Sequence, residues 1–138
     1  MPIATYTKYP AAIEPLMEGI NSGTDAWYVA LAATVNPADT TFVPGTTDLA
    51  TGNGYTAGGN PATTASATQT AGVYKLTLNN PAAWTATGAG FTFRYAILWD
   101  STTSTPVAYW DYGSSQTVTA NEQVSVVMDS VNGTFQAT

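Results

Sequence analysis

The sequence predicts a mainly β protein, an antiparallel β-sandwich of jelly-roll-like type with one short N-terminal helix. Three observations carry the prediction. Between Gly52 and Ser115 short aromatic and β-branched runs alternate with a period of two, as in Val73 to Leu78 and Phe91 to Trp99. Gly, Asn and Pro interrupt these runs at short intervals, which is the spacing of tight turns. Only one stretch, Pro10 to Ile20, places apolar residues three and four apart, at Ile13, Leu16, Met17 and Ile20.

Taken in order, Ala4 to Tyr9 alternates Thr and Tyr and reads as a first strand. In the helical stretch Pro15 is tolerated best in the first turn, so the helix is expected to start at Ile13 or Glu14 and to end around Asn21 to Gly23. Asp25 to Thr34 reads as a second strand, and Val35 to Thr51, broken by Pro37, Pro44 and Gly45, as an extended loop. Gly52, Gly54, Gly58 and Gly59 follow closely and predict a wide, bulged turn. Pro61 to Thr70 and Val73 to Asn79 form a hairpin closed at Thr70-Ala71-Gly72. Further strands are expected at Ala83 to Thr87, Phe91 to Ser101, Val107 to Tyr112, Gln123 to Met128 and Gly133 to Thr138, with turns at Thr87 to Gly90, Ser101 to Pro106, Gly113 to Ser115 and Asp129 to Gly133. Phe91, Phe93, Tyr95, Ile97 and Trp99 share one face, which marks this run as a central strand. The whole chain, 1–138, reads as a single domain, with 1–23 as an N-terminal arm and short helix.

Composition removes several function classes. Lys8, Lys75 and Arg94 are the only bases against nine carboxylates, for a formal net charge of −6, so the clustered cations of a nucleic-acid footprint are missing. Histidine and cysteine are both absent, which excludes Ser-His-Asp hydrolysis, His or thiolate metal sites and disulfides. No run approaches the roughly 20 apolar residues of a membrane span. The start MPIATYTKYP has no basic and apolar secretory pattern, so synthesis in the cytoplasm is expected. A surface rich in Thr, Ala and Gly, with only 9% charged residues, fits a subunit packed into an assembly better than a free monomer.

Some carboxylate and aromatic chemistry is left. Asp100 and Asp111 sit beside tryptophans in WDS and WDYGS, where a sugar-cleaving pair is conceivable, but Asp after a strand more commonly caps turn amides, and that reading is preferred. Calcium would draw on Asp129 and Asn132, or on Asp39 and Asp48, yet neither set follows the D-x-[DN]-x-[DN]-G pattern. The Gly-rich turn is not followed by Lys-Ser or Lys-Thr, which argues against phosphate binding. No cofactor and no metal are expected. Trp27, Trp84, Trp99, Trp110, Tyr95, Tyr109 and Tyr112 would fill a core, an intersubunit contact or a carbohydrate groove. Trp110 and Tyr112 share one strand face and Tyr109 and Asp111 the other, as on a strand covered by its own core and by a partner.

The segments GNGYTAGG, YKLTLNNPAAWTATG, FTFRYAILWDS and PVAYWDYGSS, preceded by AAIEPLMEGINSG and DAWYVALAAT in the same order, resemble a family of small virion structural proteins of tailed bacteriophages and prophages. The resemblance implies a non-enzymatic protein located in the virion. The favoured role is a capsid decoration or cement protein on the head exterior, with the major capsid protein as partner, no nucleic acid and no membrane. A homo-oligomer is implied, a trimer ahead of a dimer. Pro2 to Ile20 and the loop Val35 to Thr51 are expected to reach onto adjacent subunits, with Tyr6, Tyr9, Ile13, Phe42, Trp110 and Tyr112 as candidate partner contacts. A tail tube, baseplate or fibre subunit is the runner-up. A carbohydrate-binding adhesin using Trp99, Trp110 and Tyr112 is the reading from another class.

Overall fold

In the computed structural model, which describes residues 3–137, period-two runs become strands wherever one face is offered apolar cover. The elements are β1 (Thr5–Lys8), a single 3-10 turn (Pro10–Ala12) running into α1 (Ile13–Glu18), β2 (Trp27–Ala32), β3 (Asn60–Pro61), β4 (Thr64–Thr70), β5 (Val73–Leu78), β6 (Trp84–Thr85), β7 (Phe91–Asp100), β8 (Thr105–Val118), β9 (Gln123–Val124) and β10 (Phe135–Ala137). They form a five-stranded sheet ordered β1-β8-β7-β2-β3, a three-stranded sheet ordered β10-β5-β4 and a two-stranded ribbon of β6 with β9. Every pairing is antiparallel. The chain is thus mainly β with one short helix, as its periodicity predicts.

β7 occupies the middle of the large sheet, as its aromatic face predicts. Its second half, Ala96 to Asp100, is buried on both faces, because β2 and β8 flank it and apolar side chains cover it above and below. Leu31, Ile97 and Leu98 are fully enclosed there. Each contributes roughly 1.5–3 kcal/mol by leaving water. One apolar cluster joins residues of all three sheets, including Val29, Leu76, Phe93, Val107 and Val124.

β8 departs from expectation. Gly113 to Ser115 does not end the strand; β8 runs through it to Val118. Between Phe93 and Tyr95 of β7 the partner on β8 jumps from Gln116 to Asp111, so the intervening β8 residues are pushed out as a bulge. Two contacts hold it. Gly113 adopts φ 83° and its N–H donates to Asp111 Oδ1 at 2.8 Å, while Arg94 donates through Nε and Nη2 to both Asp111 oxygens at 2.8 and 3.0 Å. Glycine and serine read as a turn in sequence; the cross-strand fork turns them into a bulge.

α1 is also shorter than expected. Pro15 lies in its first turn as foreseen, but the helix stops at Glu18, where the Gly19 and Ile20 amides both donate to the Pro15 carbonyl. Leu16 and Ile20 pack on the core and Ile13 and Met17 face solvent. β9 closes after two residues, and Val126 and Met128 are buried without a ladder.

The long loop, expected to reach outward, folds inward. Phe42 stacks on Trp99 with centroids 4.1 Å apart and planes 13° from parallel. Its amide donates to the Ser104 carbonyl at 2.7 Å, and the Leu49 amide donates to Leu31 at 2.9 Å. Asp48 gathers three donors, the Gly45 and Gly58 amides at 2.6 Å each and the Tyr55 hydroxyl at 2.5 Å, and that hydroxyl in turn accepts from the Leu31 amide at 3.0 Å. A buried carboxylate needs such partners, so Asp48 ties the long loop at Gly45 to the glycine-rich turn at Tyr55 and Gly58, and through Tyr55 to β2. Gly59, at φ 78°, lies against β2 so closely that a side chain would meet the Val29 carbonyl.

Candidate functional site

The site grows from two strand edges. Among the described residues β1 pairs only with β8, and β10 only with β5, so each leaves one edge without a ladder partner. Lys8, at the end of β1, spans the gap: its Nζ donates to the Gln136 carbonyl at 3.5 Å and lies 4.6 Å from the centre of the Phe135 ring. A groove of about 560 Å³ opens between the edges, floored by Tyr6, Trp110 and Phe135 and walled by the segment from Val127 to Gln136. A second hollow of about 410 Å³ adjoins it, sharing Ala4, Trp110 and Val127 and adding Ile3 and Tyr112.

Register explains the floor. Tyr6 stands directly opposite Trp110 in the β1–β8 ladder, and their rings meet at 5.5 Å and 59°. Burial pushes the Tyr6 hydroxyl up to about 12, and it has no hydrogen-bond partner. The polar residues of the rim are occupied by their own turn. Asp129 accepts from the Val131 and Asn132 amides at 2.9 and 2.8 Å, which holds its carboxyl below the usual range, and the Gln136 side chain donates to the Asn132 carbonyl. The groove therefore offers an aromatic and aliphatic floor between polar walls that include Lys8, Asn132 and Gln136. Ile3 is 99% and Val127 73% exposed beside it, an unusual degree for large apolar side chains that share a concavity.

Of the six expected contact residues, the structure brings together Tyr6 and Trp110 in the groove, with Tyr112 at its neighbouring hollow. Tyr112 is itself buried, packed edge-on against Phe93 at 5.4 Å. Tyr9 and Phe42 are corrections: Tyr9 is fully buried against Tyr109 and Phe42 under Trp99, so both are core residues. Ile13 is exposed but sits on α1, outside the groove. The arm is likewise corrected, since Thr5 to Lys8 form a strand of the large sheet and are not a free clamp. Lys8, Val127 and Phe135 were not foreseen; they converge only because β1 and β10 end up side by side.

The other candidates resolve as structural. Asp100 is fully buried, accepting from the Thr102 amide at 2.9 Å and the Thr103 hydroxyl at 2.7 Å. Burial, with the Asp25 carboxyl beside it, raises its pKa. Asp111 is held below the ordinary range by Arg94 and the Gly113 amide. Asp111 stands opposite Tyr95, whereas Asp100 closes the far end of β7. That places them roughly 17 Å apart along the strand, too far for the two carboxylates of a glycosidase. Trp99 is buried and its Nε1 donates to Gly58, so a sugar platform of Trp99, Trp110 and Tyr112 does not exist as a surface. Among the described residues no group of three or more carboxylates gathers for a metal, and none of the helices is long and apolar enough to cross a membrane.

Comparison with protein-family models, curated proteins and solved structures finds no match to this chain.

Proposed function

We propose that this chain is a non-enzymatic structural protein of a bacteriophage virion, a decoration protein that binds the outer surface of the head and adds buried area between capsid subunits. The observation that carries the reading is the groove between β1 and β10: an aromatic and aliphatic floor with polar walls, flanked by two strand edges that make no ladder among the described residues, with Asp129 on its rim bonded within its own turn. Such a surface recognises an extended segment of another protein, through free backbone edges and pockets for side chains. The resemblance to phage virion proteins names the partner class, the major capsid protein. The long loop, packed on its own core, takes no part; contact falls to Ile3, Tyr6, Trp110 and Val127.

The test is to incubate the purified protein with phage heads lacking it and, separately, with tails, and to locate added density by electron microscopy. Density at symmetric positions on the head, lost in Val127→Asp and Trp110→Ala variants that melt like the parent, is the expected outcome. Density on tails alone would transfer the protein to a tube, baseplate or fibre. Trp110 and Tyr6, in tilted contact in an open groove, also give the adhesin reading its one remaining foothold. Quenching of Trp110 fluorescence by a glycan, absent in Trp110→Phe, would favour it over capsid binding.

A further inference from the structure

The outer edge of β4 is the second unsatisfied surface of the molecule, and it differs from the groove in being neutral and hydroxylated. Among the described residues β4 pairs with β5 alone, so the amides and carbonyls along its other side make no ladder. Its sequence, Thr-Ala-Ser-Ala-Thr-Gln-Thr, contains no charge and no proline, and Ser66, Thr68, Gln69 and Thr70 are all exposed. Soluble monomers blunt such an edge with Lys, Pro or a bulge. The single irregularity here lies between Thr64 and Ser66, which leaves Ser66 to Thr70 a regular, open strand. That strand is also fixed in place. Ala67 packs against the core beside Gly23, and Tyr74 of β5 shares a 2.5 Å hydrogen bond with the Ser22 hydroxyl.

We infer that the free edge of β4 pairs antiparallel with β4 of a second copy of this chain, about a twofold axis at Thr68. Charge and register select that occupant. The chain carries −6 overall, yet no carboxylate lies between Asp48 and Asp100, so copies meeting at β4 bring none of that repulsion from this segment. A twofold at Thr68 sets Ser66 against Thr70 of the other copy and Thr68 against itself, pairs of small hydroxyl side chains that are favourable across antiparallel strands. Lys75, the partner of Thr68 in β5, donates its Nζ to the Val131 carbonyl. The two copies of Lys75 would be three strand spacings apart, about 14 Å, beyond the roughly 8 Å screening length at physiological salt. The result is one six-stranded sheet across the axis. A single strand pair is smaller than a standard stable interface, so the dimer dissociates on dilution. A twofold departs from the threefold assembly that the family resemblance implies. It does not rest on the virion reading, because it concerns the isolated protein.

Sedimentation equilibrium of the full chain from low to high micromolar concentration tests it, with circular dichroism melting as the check on folding. The mass is expected to rise toward twice the monomer as concentration increases. Thr68→Lys, which places like charges face to face on the axis, should weaken association at least tenfold, whereas Ser66→Lys with Thr70→Glu, which pairs opposite charges twice, should keep it. Ser66→Glu with Thr70→Glu should abolish it. A wild type that stays monomeric, an assembly of odd number, or a Thr68→Lys mass curve that matches the parent would each overturn the inference. So would a monomeric wild type whose head binding is lost in Thr68→Lys, which would give the edge to a strand of another protein.

Discussion

Replacing Phe42 by Ala tests the most consequential correction, that the long loop belongs to the core. Phe42 is 1% exposed and stacks flat on Trp99, which is held from behind by the hydrogen bond from its Nε1 to Gly58. Truncation removes a whole ring from an enclosed site whose walls, Trp99 and the Asp48-tied turn, are fixed and collapse poorly. Phe→Ala substitutions in such sites cost about 3–5 kcal/mol. With an unfolding entropy near 2.1 cal/mol/K per residue over this length, each kcal/mol lowers Tm by about 3–4 °C, so a fall of roughly 10–18 °C is expected. Urea denaturation followed by tryptophan emission, with near-ultraviolet dichroism reporting the loss of the Phe42–Trp99 stack, measures it. A loss under about 1 kcal/mol would refute the reasoning, since a surface side chain costs no more than that. Phe42 would then be free to contact a partner, as the sequence alone had proposed.

Two glycines separate backbone conformation from crowding. Gly72 (φ 80°) has open space around it and Gly59 (φ 78°) has the β2 backbone against it, so Gly72→Ala should cost about 1–2 kcal/mol and Gly59→Ala clearly more; equal losses in urea midpoints would remove the steric argument. Asp100 offers a pH test. Its carboxyl is raised above the ordinary 3.8 by burial and by Asp25, so its contribution to stability is full below 3.8 and is lost as pH rises through the raised folded value. Asp25→Asn removes the neighbouring charge while an amide oxygen can still accept from the Asn21 amide. The variant should therefore be more stable than wild type at neutral pH, with the difference closing in acid, and a difference independent of pH would count against the pair. Asp111, Glu122 and Asp129 have lowered values and act in the opposite sense, losing stability as pH falls, but they are common to both proteins and cancel in the comparison.

Much of the architecture was legible because it follows from local pattern. Alternation located β1, β2, β5 and β7, the Ala71-Gly72 turn closed the β4–β5 hairpin with both residues at positive φ, and the all-apolar odd face of β7 marked the strand that would lie centrally. Absence of His and Cys needed no structure to exclude their chemistry. What failed depended on neighbours distant in sequence. Gly113 looked like a turn because the Arg94 fork that makes it a bulge comes from another strand. Phe42 and Tyr9 looked like contacts because an aromatic residue in a loop or arm reads the same whether it faces a partner or its own sheet; only the closure of the loop over Trp99 and the pairing of β1 with β8 decide. The groove itself is wholly tertiary. Tyr6 is separated from Trp110 and Phe135 by most of the chain, and no periodicity encodes their meeting, because the placement of β1 beside β10 is set by how the sheets close on the shared core. The sequence alone determined a charge-poor β protein without histidine or thiol chemistry, since composition and period are local properties; the tertiary structure decided which aromatics face outward, since burial depends on what packs against a residue.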